Sequence, residues 1–186
     1  MTSVRLTTAL RAIIFALAAT GASAAACAQD AARKINEMTA GKPAEVGVAW
    51  IADGKAHAVN NADGYPLMSV FKLHGAVAAL RQMERRGTPA DTLITVRAAE
   101  MEKDTYSPML KRYGGRDFTI RLDSLLRYSV AESDNNACDI IMRLAGGTDG
   151  VNAEMRAIGL TGYAITETEA SMHADPTRSY NNRSTP

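Results

Sequence analysis

The sequence predicts an α/β fold on two observations: a β-hairpin pattern in its first third, and behind it several apolar stripes at helical spacing. In the hairpin, Glu45 to Ile51 and Ala56 to Asn60 bracket Asp53-Gly54, a dipeptide that accepts the positive φ of a tight turn. A lone two-stranded hairpin is only marginally stable in water, so these strands are expected to belong to a larger sheet. The clearest helical stripe is Leu73, Val77 and Leu80 with Ala76 and Ala79, stopped at Arg85-Arg86-Gly87.

Taken in order, the chain opens with the pattern of a secretory signal over residues 1–28. Arg5 and Arg11 flank a polar start, Ala12 to Ala19 is apolar, and small residues run from Gly21 to Ala28. The apolar run is too short to span a bilayer, so no membrane anchor is expected and the destination is periplasmic or secreted. Ala26-Cys27-Ala28 fits a small-x-small cleavage site. Lipid attachment at Cys27 ranks second, because Ala24 stands where such a site wants a large aliphatic residue. Ile35 and Met38 then mark a short helix from Asp30 to Thr39, ended by Gly41 and Pro43.

After the stripe at Leu73, the stretch from Gly87 to Arg116 mixes turns with short helical pieces, with loops at Tyr106-Ser107-Pro108 and Gly114-Gly115. Phe118 to Val130 is expected as a helix through Leu122, Leu125 and Leu126. A polar turn, Glu132-Ser133-Asp134-Asn135-Asn136, leads into a buried helix through Ala137, Cys138, Ile140, Ile141 and Leu144, with Cys138 as a small core residue. A further helix runs from Val151 to Ile158. The segment from Gly159 to Pro186 is polar, with Glu167, Glu169, His173, Asp175, Arg178, Asn181 and Asn182. Long irregular segments in compact domains are more often functional than incidental. Ser184-Thr185-Pro186 has the form of a helix cap with proline at the first helical position.

Composition narrows the function. Lys+Arg 21 against Asp+Glu 20 gives a net charge of +1, and loss of Arg5 and Arg11 with the signal moves it to −1. Such a surface gives no footing for nucleic acid. Cleavage after Ala28 leaves Cys138 alone, which rules out an internal disulfide. His57, His74 and His173 lie far apart with no Cys or His at ligand spacing, so neither zinc nor another cofactor is expected. His57 is read as a solvated strand residue.

The chemistry centres on Ser69 and Lys72, just after Pro66. Residues three apart on a helix share a face, so the Lys72 amine can help deprotonate the Ser69 hydroxyl, and a helix N-terminus favours nearby negative charge. Ser69 is expected in the first turn. Alone, the pair is a weak signal, since both residue types are common and such a pair is more often an exposed serine and a solvated lysine opening an ordinary helix.

Ser69-Val70-Phe71-Lys72 followed by Ser133-Asp134-Asn135 between two apolar helices, in an exported chain, resembles the class A serine β-lactamases. The resemblance covers nearly all of the mature chain, including the first helix, the hairpin, and Tyr106-Ser107-Pro108. It implies the serine β-lactamase / DD-peptidase-like fold, an α/β domain plus an all-α domain. Residues 29–65 would then form the N-terminal part of the α/β domain, and residues 66–186 the all-α domain with its Ω-loop at about 159–186. Glu169 takes the position of the family's general base. His173 stands where most members carry Asn, a pattern similar to the PER-like extended-spectrum branch.

The implied reaction is hydrolysis of a small-molecule β-lactam, a penicillin or cephalosporin, through an acyl-enzyme on Ser69. Either Lys72 or Glu169 acting through water would take the serine proton, and Glu169 would drive deacylation. Ser133 would pass a proton to the departing nitrogen, and Asn135 would bind the substrate side-chain amide. Tyr106 and His173 would complete the substrate site. Asp134 is structural, and the complete protein is expected to be a monomer.

The family's third motif, Lys-Thr-Gly, is absent from the sequence. The expectation is therefore an N-terminal fragment or truncated product without three sheet strands and one of two oxyanion donors. Such a chain leaves a bare sheet edge and is not competent alone. The alternatives are an inactive truncated remnant, or a penicillin-binding D-alanyl peptidase or β-lactam sensor; the latter two lack the deacylating glutamate.

Overall fold

The computed structural model describes residues 26–61 and 64–186. The arginines and apolar run of the expected signal lie outside the described residues. The chain divides into two units, one of residues up to Asp63 with Thr185–Pro186, the other of Gly64–Ser184.

In the first unit a helix, α1, covers 26–39 and crosses the expected cleavage position. The hairpin forms as expected, with β1 (Val48–Ala52) antiparallel to β2 (Lys55–Val59). Asp53 at φ 50 and Gly54 at φ 71 make the turn, where the dipeptide's tolerance of left-handed backbone is used. Trp50 faces His57 across the ladder, with ring centroids 5.5 Å apart. His57 is thus half-buried against an indole rather than solvated. Among the described residues β1 pairs with β2 alone, so the larger sheet is not seen there.

The second unit is built on four helices: α2 (Phe71–Arg85), α4 (Leu122–Ala131), α5 (Asn135–Leu144) and α6 (Gly147–Ala157). Shorter helices are α3 (Pro108–Tyr113) and α7 (Glu169–Ala174). The core joins Phe71, Ala78 and Met83 of α2 to Leu122 and Leu125 of α4, Ile140, Ile141 and Met142 of α5, and Val151 of α6. Helix α5 is buried almost all round because its apolar residues are nearly consecutive. Gly75 lets α2 approach it closely, since a Cβ there would stand 3.1 Å from Met142 Cγ.

Short strands interrupt this mainly helical unit, and one of them corrects the helix expected from Phe118. Phe118–Arg121 is a strand, β5, paired antiparallel with β4 (Leu93–Val96), and α4 begins only at Leu122. Phe118-Thr119-Ile120-Arg121 alternates inward and outward and carries two β-branched residues, a strand pattern that the helix behind it masks. A three-stranded arrangement closes this unit: β7 (Arg183–Ser184) lies between β3 (Tyr65–Pro66) and β6 (Tyr163–Ala164). Among the described residues no helix is long and apolar enough to cross a membrane.

The turn from α4 to α5 is pinned by Asp134, which is 0% exposed. Its carboxylate accepts from Ser107 Oγ at 2.9 Å, Met109 N at 2.6 Å and Ala137 N at 2.9 Å, so it caps α5 and fastens the start of α3. Ser107 in turn caps α3, with Pro108 at the first helical position. Asp134→Ala strands these buried donors and is expected to lower the unfolding free energy in urea by about 3 kcal/mol. A loss below about 1 kcal/mol would show that water replaces the carboxylate.

Candidate active site

Ser69 is exposed on a 3-10 turn, Met68–Val70, that runs directly into α2. This places it one step ahead of the expected first α-helical turn, with Lys72 the second residue of α2. Met68, immediately before the hydroxyl, has φ 46. A left-handed non-glycine residue costs on the order of 1–3 kcal/mol and persists only where its surroundings hold it. Here Leu67 N donates to Asn182 O at 2.8 Å, and Val70 N donates to Leu67 O at 2.9 Å.

Lys72 is 2% exposed. Its Nζ donates to Ser133 O at 2.6 Å, Ser133 Oγ at 3.1 Å and Asn135 Oδ1 at 2.6 Å, and lies 3.1 Å from Glu169 Oε1. Helix α2 supplies the amine, the turn before α5 the serine, α5 the amide, and α7 the carboxylate. Ser133 also sits at positive φ, 55, a second strained position beside a hydroxyl. Asn135 Nδ2 donates to Thr105 Oγ1 at 2.8 Å and Asn135 N to Tyr106 O at 3.0 Å, which fixes the amide's orientation.

Glu169 opens α7, and its placement depends on Asp139. The Asp139 carboxylate accepts from Glu169 N and Ala170 N, each at 2.8 Å. Burial pushes the Asp139 carboxyl up to about 6, against the lowering effect of these two N–H donors. Glu169, Asp139, Thr105, Asn136, Glu102 and His173 line a small cleft.

Of the residues expected to act, Lys72, Ser133, Asn135 and Glu169 meet within hydrogen-bonding distance. Tyr106 reaches this group through its backbone carbonyl, the residue itself being 58% exposed. His173 stands at the cleft with Nε2 4.0 Å from Glu102 Oε1. Sequence reasoning missed Asp139 and Thr105. For Asp139 the available signal was an acid inside the apolar run of α5, one turn on from Asn135.

An exposed serine on a 3-10 turn, a buried lysine and the Glu169 carboxylate stand on this helical scaffold, and the chain belongs to the Beta-lactamase enzyme family, whose model matches residues 30–186. It is 38% identical to a β-lactamase of Bacteroides uniformis over 82% of this chain and 52% of that protein. It is 35% identical to the extended-spectrum β-lactamase PER-1 of Pseudomonas aeruginosa, over 80% of this chain and 49% of PER-1. Among solved structures, a class A β-lactamase from Bacteroides cellulosilyticus matches with TM-score 0.78 and 36% identity, covering 83% of this chain and 56% of that one. The fold is thus that of the class A β-lactamases. The chain spans about half the length of the relatives it matches.

Asp139 gives this site a pH signature. Its carboxyl titrates higher folded, at about 6, than its ordinary value of 3.8, so the folded state holds the proton more tightly. The resulting stabilisation is complete below about pH 4 and is lost as pH rises through 6. Urea unfolding across this range should show the stability of the wild type, relative to Asp139→Asn, falling by roughly 1–3 kcal/mol with rising pH. A flat or rising difference would contradict the assignment.

Proposed function

We propose that the chain carries the acylating and deacylating groups of a serine β-lactamase, one that opens the amide of penicillins and cephalosporins. The observation that carries this is the convergence of Ser133, Asn135 and Glu169 on the buried Lys72 amine, one helical turn from Ser69.

In this reading the Ser69 hydroxyl attacks the β-lactam carbonyl, and its proton goes to Lys72 or, through a water, to Glu169. The 3.1 Å contact between Lys72 and Glu169 lets the proton pass between them. Ser133 delivers a proton to the ring nitrogen as the C–N bond breaks. Asn135 binds the acyl side-chain amide, with Tyr106 and His173 as further substrate contacts. Glu169 then deprotonates the water that releases the acyl group. The backbone N–H of Ser69 is one oxyanion donor. Oxyanion holes of this kind use two, and removing one costs roughly 10²–10³ in turnover.

A D-alanyl peptidase or β-lactam sensor would acylate without releasing. Glu169, 12% exposed and 3.1 Å from Lys72, favours hydrolysis over that alternative. The residue pattern of 1–28 supports export, and with it a periplasmic or secreted site of action.

The test joins the chain to the C-terminal half of the Bacteroides uniformis relative and follows a chromogenic cephalosporin. Ser69→Ala is expected to abolish turnover, and Glu169→Gln to leave an acyl adduct visible by intact mass, with turnover falling at least about 10³-fold. Hydrolysis that survives Ser69→Ala would overturn the assignment. The 186 residues alone are expected to turn over at least about 10²-fold more slowly than the joined chain.

A further inference from the structure

The mechanism above does not use the buried charge that lies nearest Glu169 in sequence. Glu167, two residues ahead of Glu169, is 3% exposed. Its carboxylate accepts from Ser171 Oγ at 2.6 Å, Asn181 Nδ2 at 2.9 Å and Arg178 Nε at 3.1 Å. Ser171 lies within α7, while Arg178 and Asn181 lie in the stretch after it, so one carboxylate gathers donors from both. Burial alone would push this carboxyl up; Ser171, Asn181 and Arg178 together outweigh burial and hold it below the usual carboxylate range, so it is ionised at neutral pH.

Two chains of contacts lead from Glu167 to the site. In the first, the Ser171 hydroxyl has one proton and gives it to Glu167, which turns its lone pairs toward Thr168 N, 3.0 Å away. Thr168 is the residue immediately before Glu169, and its own side chain accepts from Ser171 N at 3.1 Å. In the second, Asn182, 0% exposed, accepts from Thr166 N at 2.8 Å and Glu167 N at 2.9 Å and donates to Glu167 O at 3.1 Å. The carbonyl of Asn182 holds Leu67 N, at the entrance to the turn that carries Ser69.

We infer that Glu167 is a positioning residue: its carboxylate ties the segment after α7 to the start of that helix, and thereby fixes the Glu169 carboxylate relative to the Ser69 turn. The inference rests on the reading of Glu169 as the group that discharges the acyl-enzyme. It assigns Glu167 to release of the acyl group and not to its formation, because its contacts reach Ser69 only through backbone that Asn182 holds independently.

The test uses the 186-residue chain with Glu167→Gln, and with Ser171→Ala as a milder variant that removes one donor and leaves the carboxylate. Hydrogen exchange at the Glu169 and Ala170 amides is expected to quicken about tenfold or more in both variants, while the amides of α5 change by less than about threefold. With a penicillin, intact mass is expected to show adduct formation altered by less than about threefold and adduct lifetime extended about tenfold or more. Unchanged exchange at both amides, or formation slowed as much as breakdown, would overturn the inference. If no adduct forms even in the wild type, the 186 residues alone do not acylate, the joined chain decides the β-lactam reading, and the exchange result still decides whether Glu167 positions Glu169. If Glu167→Gln does not fold, Arg178→Met, which removes a donor to the carboxylate and leaves the Thr168–Ser171 cap intact, decides in its place by the same exchange readout.

Discussion

The burial of the Lys72 amine is the constraint on which the rest of the second unit depends. An isolated ammonium moved out of water costs many kcal/mol, and the cost is offset only where oxygen acceptors surround it in good geometry. Here the acceptors come from the turn before α5, from α5 itself and from α7. Each of those segments must therefore be placed to within a few tenths of an ångström. The Asp134 clasp sets the turn, the Gly75 contact sets the spacing of α2 and α5, and Asp139 sets the start of α7. Packing, capping and charge thus converge on one nitrogen.

Much of this was legible in the sequence where it depended on local spacing. Ser69 and Lys72 are three residues apart, and Ser133-Asp134-Asn135 is contiguous, so a short window contains each motif. The hairpin was legible for the same reason, since Asp53-Gly54 fixes the turn. Polar residues crowded between Gly159 and Pro186 pointed to a functional loop, and Glu169 was found there.

What escaped depended on distant partners. Asp139 looks like an acid intruding on an apolar helix until Glu169 N and Ala170 N, some thirty residues on, supply its donors. Glu167 is one acid among several until Arg178 and Asn181 surround it. Phe118–Arg121 was absorbed into the helix that follows, because four residues give too few alternations to outweigh a long helical stripe. Strands of two residues, such as Tyr65–Pro66 and Arg183–Ser184, carry no periodicity at all and exist through their pairing.

That pairing bears on how such a site diversifies. Tyr163 pairs with Ser184 and Ala164 with Arg183, so the ends of the segment that carries Glu169 are joined directly by the backbone ladder. Once the ends of a loop are fastened, doubling its length adds only about 0.6 kcal/mol of closure entropy. Residues Pro176–Tyr180 lie within this ring, on the far side of α7 from Asp139 in the chain. Low closure cost does not make this stretch free to vary, because Arg178 lies within it and donates to Glu167; changes of length can accumulate only where that contact and the Asp139 clamp are both kept.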